Sequence, residues 1–350
     1  MEVGIMVKSN IKNLTYEELE RLLVDKGFPR YRANQIFKWI YKDVEEFEDM
    51  NNLPKDIINY LNDNFYIGIA RVIDKQQSKD GTIKYLLGLE DNNAVECVLM
   101  KYKHGYSICI SSQVGCRMNC SFCASTEGGL VRNLRSGEMI EEIMAVERES
   151  GIKISNIVIM GIGEPFDNYD EVMKFLRTIN HRDGINIGMR HITISTSGLV
   201  PAIYKFADEN LQCNLAISLH SAKDEIRNKL MPINRKYNIA ELMKACDYYI
   251  EKTNRRITFE YALIDGINDS KEDAKALSRL LKGKLCHINL IPINPVKGNE
   301  YKRSELNSIK EFMKIIKDNG IPVTLRRELG TDIEGACGQL RKSYLNDSVN

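Results

Sequence analysis

The chain contains no apolar run approaching the roughly eighteen residues that a membrane-spanning helix needs, so nothing in it reads as a transmembrane segment. A secretion signal is missing too, because the one early apolar stretch, positions 3–7, is too short for a signal-peptide core and has no basic flank before it. There is no low-complexity segment. Charge of one sign does not dominate either: 49 Lys and Arg stand against 48 Asp and Glu, a net charge of +1, so the overall balance does not announce a polyanionic partner. The nine cysteines include no second close pair and no HxxxH to complete one, which removes the usual signature of a structural zinc site. An odd thiol count without a secretion signal points to a cytoplasmic protein whose cysteines serve metals or catalysis.

What is present concentrates at positions 112–123, where Cys116, Cys120 and Cys123 stand in a CxxxCxxC spacing that wraps one loop around an iron–sulfur cluster. A 4Fe–4S cluster usually takes four thiolates. A compact set of three leaves one iron without a protein ligand, as catalytic metal sites keep an open position. Structural zinc with a fourth ligand from elsewhere is the alternative, although Cys97, Cys109, Cys213, Cys246, Cys286 and Cys337 are all widely spaced. The segment resembles the radical S-adenosylmethionine (SAM) superfamily. That resemblance implies an open iron that chelates the amino and carboxylate groups of SAM, and an electron that splits the sulfonium to a 5′-deoxyadenosyl radical.

Around this loop the chain divides into distinct patterns. Positions 14–64 read as short amphipathic helices: Thr15 with Glu18 makes a capping box ahead of Leu19, Leu22 and Leu23, Gly27 ends that helix, and Ile36, Phe37 and Ile40 share one face of the next. Positions 70–103 alternate about Asp80-Gly81, a hairpin signal. From Tyr106 on, strands near 107–110, 156–160, 191–195, 213–218, 256–263 and 286–291 alternate with helices near 137–150, 168–180, 199–210, 239–252, 271–281 and 304–319. Six such units suggest an α/β fold: a partial, laterally open (βα)6 barrel whose strand carboxyl ends form the active face. The expected organisation is a helical accessory domain (1–66), a β-rich connector (67–104), the barrel (105–325) and a C-terminal segment (326–350).

Several residues fall at those strand ends. Gly163 and Glu164 lie in Met160-Gly161-Ile162-Gly163-Glu164-Pro165, where glycines admit a ligand close to the backbone and the carboxylate accepts from an ammonium; the segment resembles the superfamily's "GGE" element. Ser195 ends the third strand, Ser218, Leu219 and His220 end the fourth, and Asn294 follows the sixth. All can reach one SAM site. Cys109 lies in Ser107-Ile108-Cys109-Ile110-Ser111, where period two places it with the serines and opposite the isoleucines.

Together with Gly335-Ala336-Cys337-Gly338-Gln339-Leu340, Arg132-Asn133-Leu134, Leu230-Met231-Pro232-Ile233-Asn234 and Gly266-Ile267-Asn268-Asp269, these segments resemble the RlmN/Cfr family of RNA methyltransferases over nearly the whole chain. Members methylate one adenine in the peptidyl-transferase region of 23S ribosomal RNA, at C2 (RlmN, some of which also modify a tRNA anticodon-loop adenine) or at C8 (Cfr). Pro165 after Glu164 and Pro292-Ile293-Asn294-Pro295 are similar to the RlmN branch. The resemblance implies Cys337 as an S-methylcysteine carrier, Cys109 as the thiol that releases the protein–RNA adduct by disulfide formation, and Glu96 as the proton acceptor. It further implies a flavodoxin or ferredoxin as electron donor. A monomer is expected, with no membrane partner. The helical module is expected to hold RNA, since positions 25–42 carry five basic residues against one acid. Other basic groupings able to meet phosphates are Arg132 with Arg135, Arg227 to Lys236, and Arg326 with Arg327. A zinc-stabilised RNA-binding protein and a C8 methylase remain the competing readings.

Overall fold

A computed structural model describes residues 8–103, 105–293, 300–330, 332–333 and 340. Near the amino terminus, β1 (Ser9–Asn10) pairs in parallel with β2 (Phe65–Tyr66), and between them lie α1 (Tyr16–Asp25), α2 (Tyr31–Ile40) and α3 (Lys55–Asn64). The Thr15 capping box forms as its spacing predicts: Thr15 Oγ1 accepts from Glu18 N at 3.2 Å and Glu18 Oε2 accepts from Thr15 N at 2.9 Å. Leu19, Leu23, Ile36, Phe37, Ile40, Ile57 and Leu61 bury into a core of their own. Beneath it, the fully buried Lys12 ammonium meets Gly68 O at 3.0 Å and the Glu141 carboxylate. Of the basic residues at 25–42, Arg30 pairs with Glu20 and Lys38 with Asp183, so part of that positive charge is already matched.

The rest of the chain builds one ten-stranded sheet. Antiparallel strands β3 (Arg71–Gln77), β4 (Ile83–Gly88) and β5 (Ala94–Tyr102) lead into β6 (Gly105–Ile110), which pairs antiparallel with β5. A short hairpin, β7 (Gln113–Gly115) and β8 (Leu130–Asn133), carries the cysteine loop between its limbs. Then α4 (Ser136–Ser150), β9 (Asn156–Ile159), α5 (Tyr169–Ile179), β10 (Ile192–Thr196), α6 (Val200–Asp208), β11 (Asn214–Ser218), α7 (Asp224–Leu230), α8 (Ile239–Thr253), β12 (Ile257–Leu263), α9 (Lys271–Leu281), β13 (Cys286–Pro292), α10 (Leu306–Asp318) and β14 (Val323–Leu325) complete the winding. From β6 through β14 every neighbouring pair is parallel. Besides the short strand pairs β1–β2 and β7–β8, two elements escaped the sequence: α7, only seven residues long, and β14, a three-residue strand whose pattern is too short to read. The antiparallel strands also continue the barrel sheet itself.

Alternation decides which side of the sheet is filled. Ile108, Ile110, Ile157, Ile159, Ile192, Ile194, Leu215, Ile217, Phe259, Ile288 and Leu290 all turn into the core shared with the helices. Their neighbours in the opposite phase, among them Ser107, Asn156, Thr193, Asn214, Thr258, Glu260 and Asn289, line the barrel interior. A closed eight-stranded barrel packs that space with branched apolar side chains. Here small and polar residues leave it hollow. No helix among the described residues is long and apolar enough to cross a membrane.

Candidate active site

The cysteine loop depends on a close approach of the hairpin limbs that carry it. Gly115 has φ +77°, and a Cβ there would sit 2.0 Å from Gly129 O, so only glycine lets the limbs meet. Cys116 N donates to Gly129 O at 3.0 Å, Cys123 N to Cys120 O at 3.1 Å, and Ser121 N to Leu230 O at 3.0 Å, which ties the loop to the end of α7. Arg117 pairs with Asp167 from outside. Cys116, Cys120 and Cys123 line one cavity of about 230 Å³. Burial pushes the Cys116 thiol up to about 12 and raises Cys120 further, so thiolates form here only against bound positive charge. Among the described residues no three His, Cys, Asp or Glu side chains converge on the place of a single ion. Three thiols spread around one cavity fit a polynuclear cluster, in which each thiolate holds a different iron, better than one zinc ion.

The opposite wall of the cavity comes from strand ends. Gly163, Glu164, Ser195, Ser218 and His220 line it, as their positions predict. Gly163 has φ +109°, with Gln113 Cβ only 2.6 Å from where its own Cβ would lie. Glu164 is buried, which raises its carboxyl; Oε2 accepts from Ser197 N at 2.6 Å and Oε1 from Phe166 N at 3.1 Å, joining the loops after β9 and β10. His220 adopts φ +54°, and its Nδ1 accepts from Ala262 N at 2.9 Å. Burial, with help from the Arg227 charge, lowers its pKa to about 3, so the ring is neutral. Leu219 differs from its neighbours: its side chain is in the core and its N–H donates to Glu260 O at 3.0 Å. Asn294 lies outside the described residues.

Arg227 departs from the expectation that it meets phosphate. The guanidinium is fully buried and donates to Leu219 O at 3.1 Å, Ser197 O at 2.6 Å, Ser218 O at 3.1 Å and Asn234 Oδ1 at 2.8 Å. It gathers the ends of β10 and β11 instead. An Arg in a run of charged residues gives no sign of this from sequence.

A second cavity of about 260 Å³ adjoins the first and shares Phe122, Cys123, His220, Ile291 and Arg326 with it. Cys109 lines this chamber. The strand register sets Lys84 opposite Val98 and Val98 opposite Cys109, one row across three strands, and all three residues face the chamber. In the next row Glu96 stands opposite Leu86, and its Oε2 lies 2.9 Å from Lys84 Nζ. Glu96 is not among the residues lining either cavity; Lys84 is. Cys337 lies outside the described residues, but Leu340, three positions on, packs against Leu86 and Ala94 of the same wall. Sequence reading missed Lys84, which in its strand shares a phase with the apolar Leu86. It also missed Glu260, a buried carboxyl on the barrel interior that accepts from Asn289 Nδ2 at 2.9 Å.

Comparison with known proteins agrees with this architecture. Residues 110–278 match the model of the Radical SAM superfamily, and residues 9–67 match the ribosomal RNA large subunit methyltransferase N-terminal domain. A probable dual-specificity RNA methyltransferase RlmN from Clostridium perfringens is 57% identical over 338 residues, 96% of this chain and 97% of that one. A protein of the same name from Caldanaerobacter subterraneus is 56% identical over 340 residues, 97% of this chain and 99% of that one. The crystal structure of a radical SAM methyltransferase from Sphaerobacter thermophilus superposes with a TM-score of 0.88 at 45% identity, over 95% of this chain and 98% of that one.

Proposed function

Because the chain belongs to the RlmN family of radical SAM RNA methyltransferases, which use a 4Fe–4S cluster and SAM, we propose that it methylates C2 of an adenine in 23S ribosomal RNA and of an adenine in some tRNAs. C2 is an electron-poor amidine carbon without a lone pair, so it does not attack a methyl donor as oxygen or nitrogen would. Cluster and SAM, when bound, supply the methyl group and a one-electron route for activating carbon. The chain's own residues supply the rest. Cys116, Cys120 and Cys123 would hold the cluster and leave it open to SAM, while Gly163, Glu164, Ser195, Ser218, His220, Asn294 and the Leu219 backbone would frame the nucleoside. Cys337 carries the methyl group as a thioether. Its carbon joins C2, Glu96 receives the C2 proton, and Cys109 frees the product by forming a disulfide with Cys337.

One observation carries this reading. Cys109, the Lys84–Glu96 pair and the anchor of Leu340 occupy one wall of a chamber whose other wall is the cysteine loop. Two thiols and an acid are needed near the reacting carbon, and the closeness of Cys109 to the Lys84–Glu96 pair supports this reading. The decisive experiment is nuclease digestion and mass spectrometry of RNA modified by the reconstituted enzyme, against 2-methyl- and 8-methyladenosine standards. We expect 2-methyladenosine. Finding 8-methyladenosine would transfer the chain to the C8 reading, and finding neither would remove the RNA substrate.

A further inference from the structure

The pair formed by Lys84 and Glu96 is sealed in the chamber wall, with side chains 0% and 3% exposed. Stability alone does not call for it: a buried ion pair is often no better than well-packed apolar side chains of similar volume. Its row partners are apolar: Val98 stands opposite Lys84 and the buried Leu86 opposite Glu96, with the buried Ala94 one row further on. A charged pair in such a place, beside a reactive thiol, is a candidate for function. Position adds a constraint. Glu96 stands one row behind the chamber, whereas Lys84 shares its row with Cys109 and lines it. Of the two, Lys84 is therefore the one that borders the chamber.

We propose that Lys84 is a proton-relay residue that passes the C2 proton of the bound adenine from the Cys109 chamber to Glu96. The inference rests on the C2 reading given above. In the step, the C2–H bond of the protein-bound adduct breaks and leaves its electron pair in the purine ring. Lys84 gives one ammonium proton to the Glu96 carboxylate and takes the C2 proton in its place. The pair passes from ammonium–carboxylate to ammonium–carboxylic acid, and the charge of the adduct falls by the one unit that the pair gains. Lysine is the cation suited to this task. Arginine pairs with carboxylate at least as well but does not release a proton in proteins.

That difference provides the test. Lys84→Arg keeps a cation beside Glu96, so a purely structural role predicts rescue and the relay predicts arrest. Enzyme, SAM and reductant are mixed with RNA deuterated at C2 of the target adenine. Released 5′-deoxyadenosine, methylated Cys337 peptide, covalent adduct and methylated adenosine are then measured by mass spectrometry. Lys84→Arg is expected to release 5′-deoxyadenosine, methylate Cys337 and accumulate an adduct that still holds its deuterium, with product formation down at least about 100-fold, the lower end of general acid–base effects. Product within a few-fold of the unaltered enzyme, or an adduct that has lost deuterium, overturns the relay. Lys84→Met combined with Glu96→Gln removes both charges together and avoids a buried unpaired ion. It should stop at the same deuterated adduct, and turnover by it equally overturns the proposal. Failure of the C2 reading is distinguishable, since it appears as 8-methyladenosine from the unaltered enzyme.

Discussion

In the parallel half of the sheet, from β6 to β14, the residues facing the cavity of the cysteine loop sit at or just beyond strand ends: Gly163, Glu164, Ser195, Ser218 and His220. In the antiparallel half, Lys84 and Glu96 sit within strands β4 and β5, where Lys84 pairs with Gln76 and Val98 and Glu96 with Leu86. Loops at strand ends are free to carry glycines, positive φ angles and backbone donors, so they wrap a ligand whose groups are varied. A strand interior fixes side chains in rows at set spacing. That suits a reaction in which a few groups must keep constant distances while covalent bonds change. The two halves meet at Cys109, which belongs to β6 and borders both.

The largest expected effects separate these halves chemically. Replacing Cys116, Cys120 or Cys123 by Ala should remove cluster iron, SAM cleavage and all methylation together, read by iron content and 5′-deoxyadenosine release. Cys337→Ala should keep iron and SAM cleavage yet transfer no label from methyl-labelled SAM to RNA; labelled RNA would show that the carrier lies elsewhere. Cys109→Ala should permit every earlier step and leave a protein–RNA adduct visible on a denaturing gel. If that variant turned over normally, the antiparallel half would lose its claim on the chemistry.

The same contrast explains what the sequence made legible. The cysteine loop, the Gly163-Glu164 turn and the strand-end serines were readable because each belongs to a local motif, with its spacing written in consecutive residues. All six predicted strands lie within two residues of their observed ends for the same reason, and the helix capped by Thr15 forms where its motif places it. Lys84 and Arg227 were not readable, because what defines each is a partner brought near by tertiary pairing. Lys84 meets Glu96 only through the β4–β5 register, and Arg227 meets Ser197 O and Leu219 O only once β10 and β11 lie side by side. Composition marks both simply as charged. The hollow interior was half visible: alternation was evident strand by strand, but which phase faces inward follows from the assembled sheet.

Stability measurements sharpen the comparison further. Lys84→Met alone leaves Glu96 buried without its cation and should cost about 3–5 kcal/mol in urea unfolding. Adding Glu96→Leu should recover most of that loss, which would mark the pair as retained for chemistry over stability. In the parallel half, Gly163→Ala forces a Cβ against Gln113 at φ +109°. About 1–3 kcal/mol of destabilisation is expected, with weaker SAM binding by equilibrium dialysis. An unchanged SAM affinity would mean the turn has slack that its geometry does not suggest.

The smallest expected effect is a pH dependence located at His220. Its pKa in the folded chain is about 3, lowered first by burial and then by the Arg227 charge, whereas an unfolded histidine titrates near 6.5. Between those values the unfolded chain binds a proton that the folded chain refuses, so unfolding becomes easier as pH falls. The contribution is complete above about 6.5 and is lost progressively on acidification toward 3. Buried carboxyls with raised values, Glu164 and Glu260, act in the opposite sense, so the net slope alone does not isolate the histidine. His220→Asn does: asparagine tolerates φ +54° and its Oδ1 can replace Nδ1 as acceptor for Ala262 N. Between about pH 4 and 6 the unaltered chain should lose stability more steeply than the variant, by about 1.4 kcal/mol per pH unit. Parallel curves would mean the ring is protonated in the fold, and the strand-end half would then carry a charge where its geometry places a neutral acceptor.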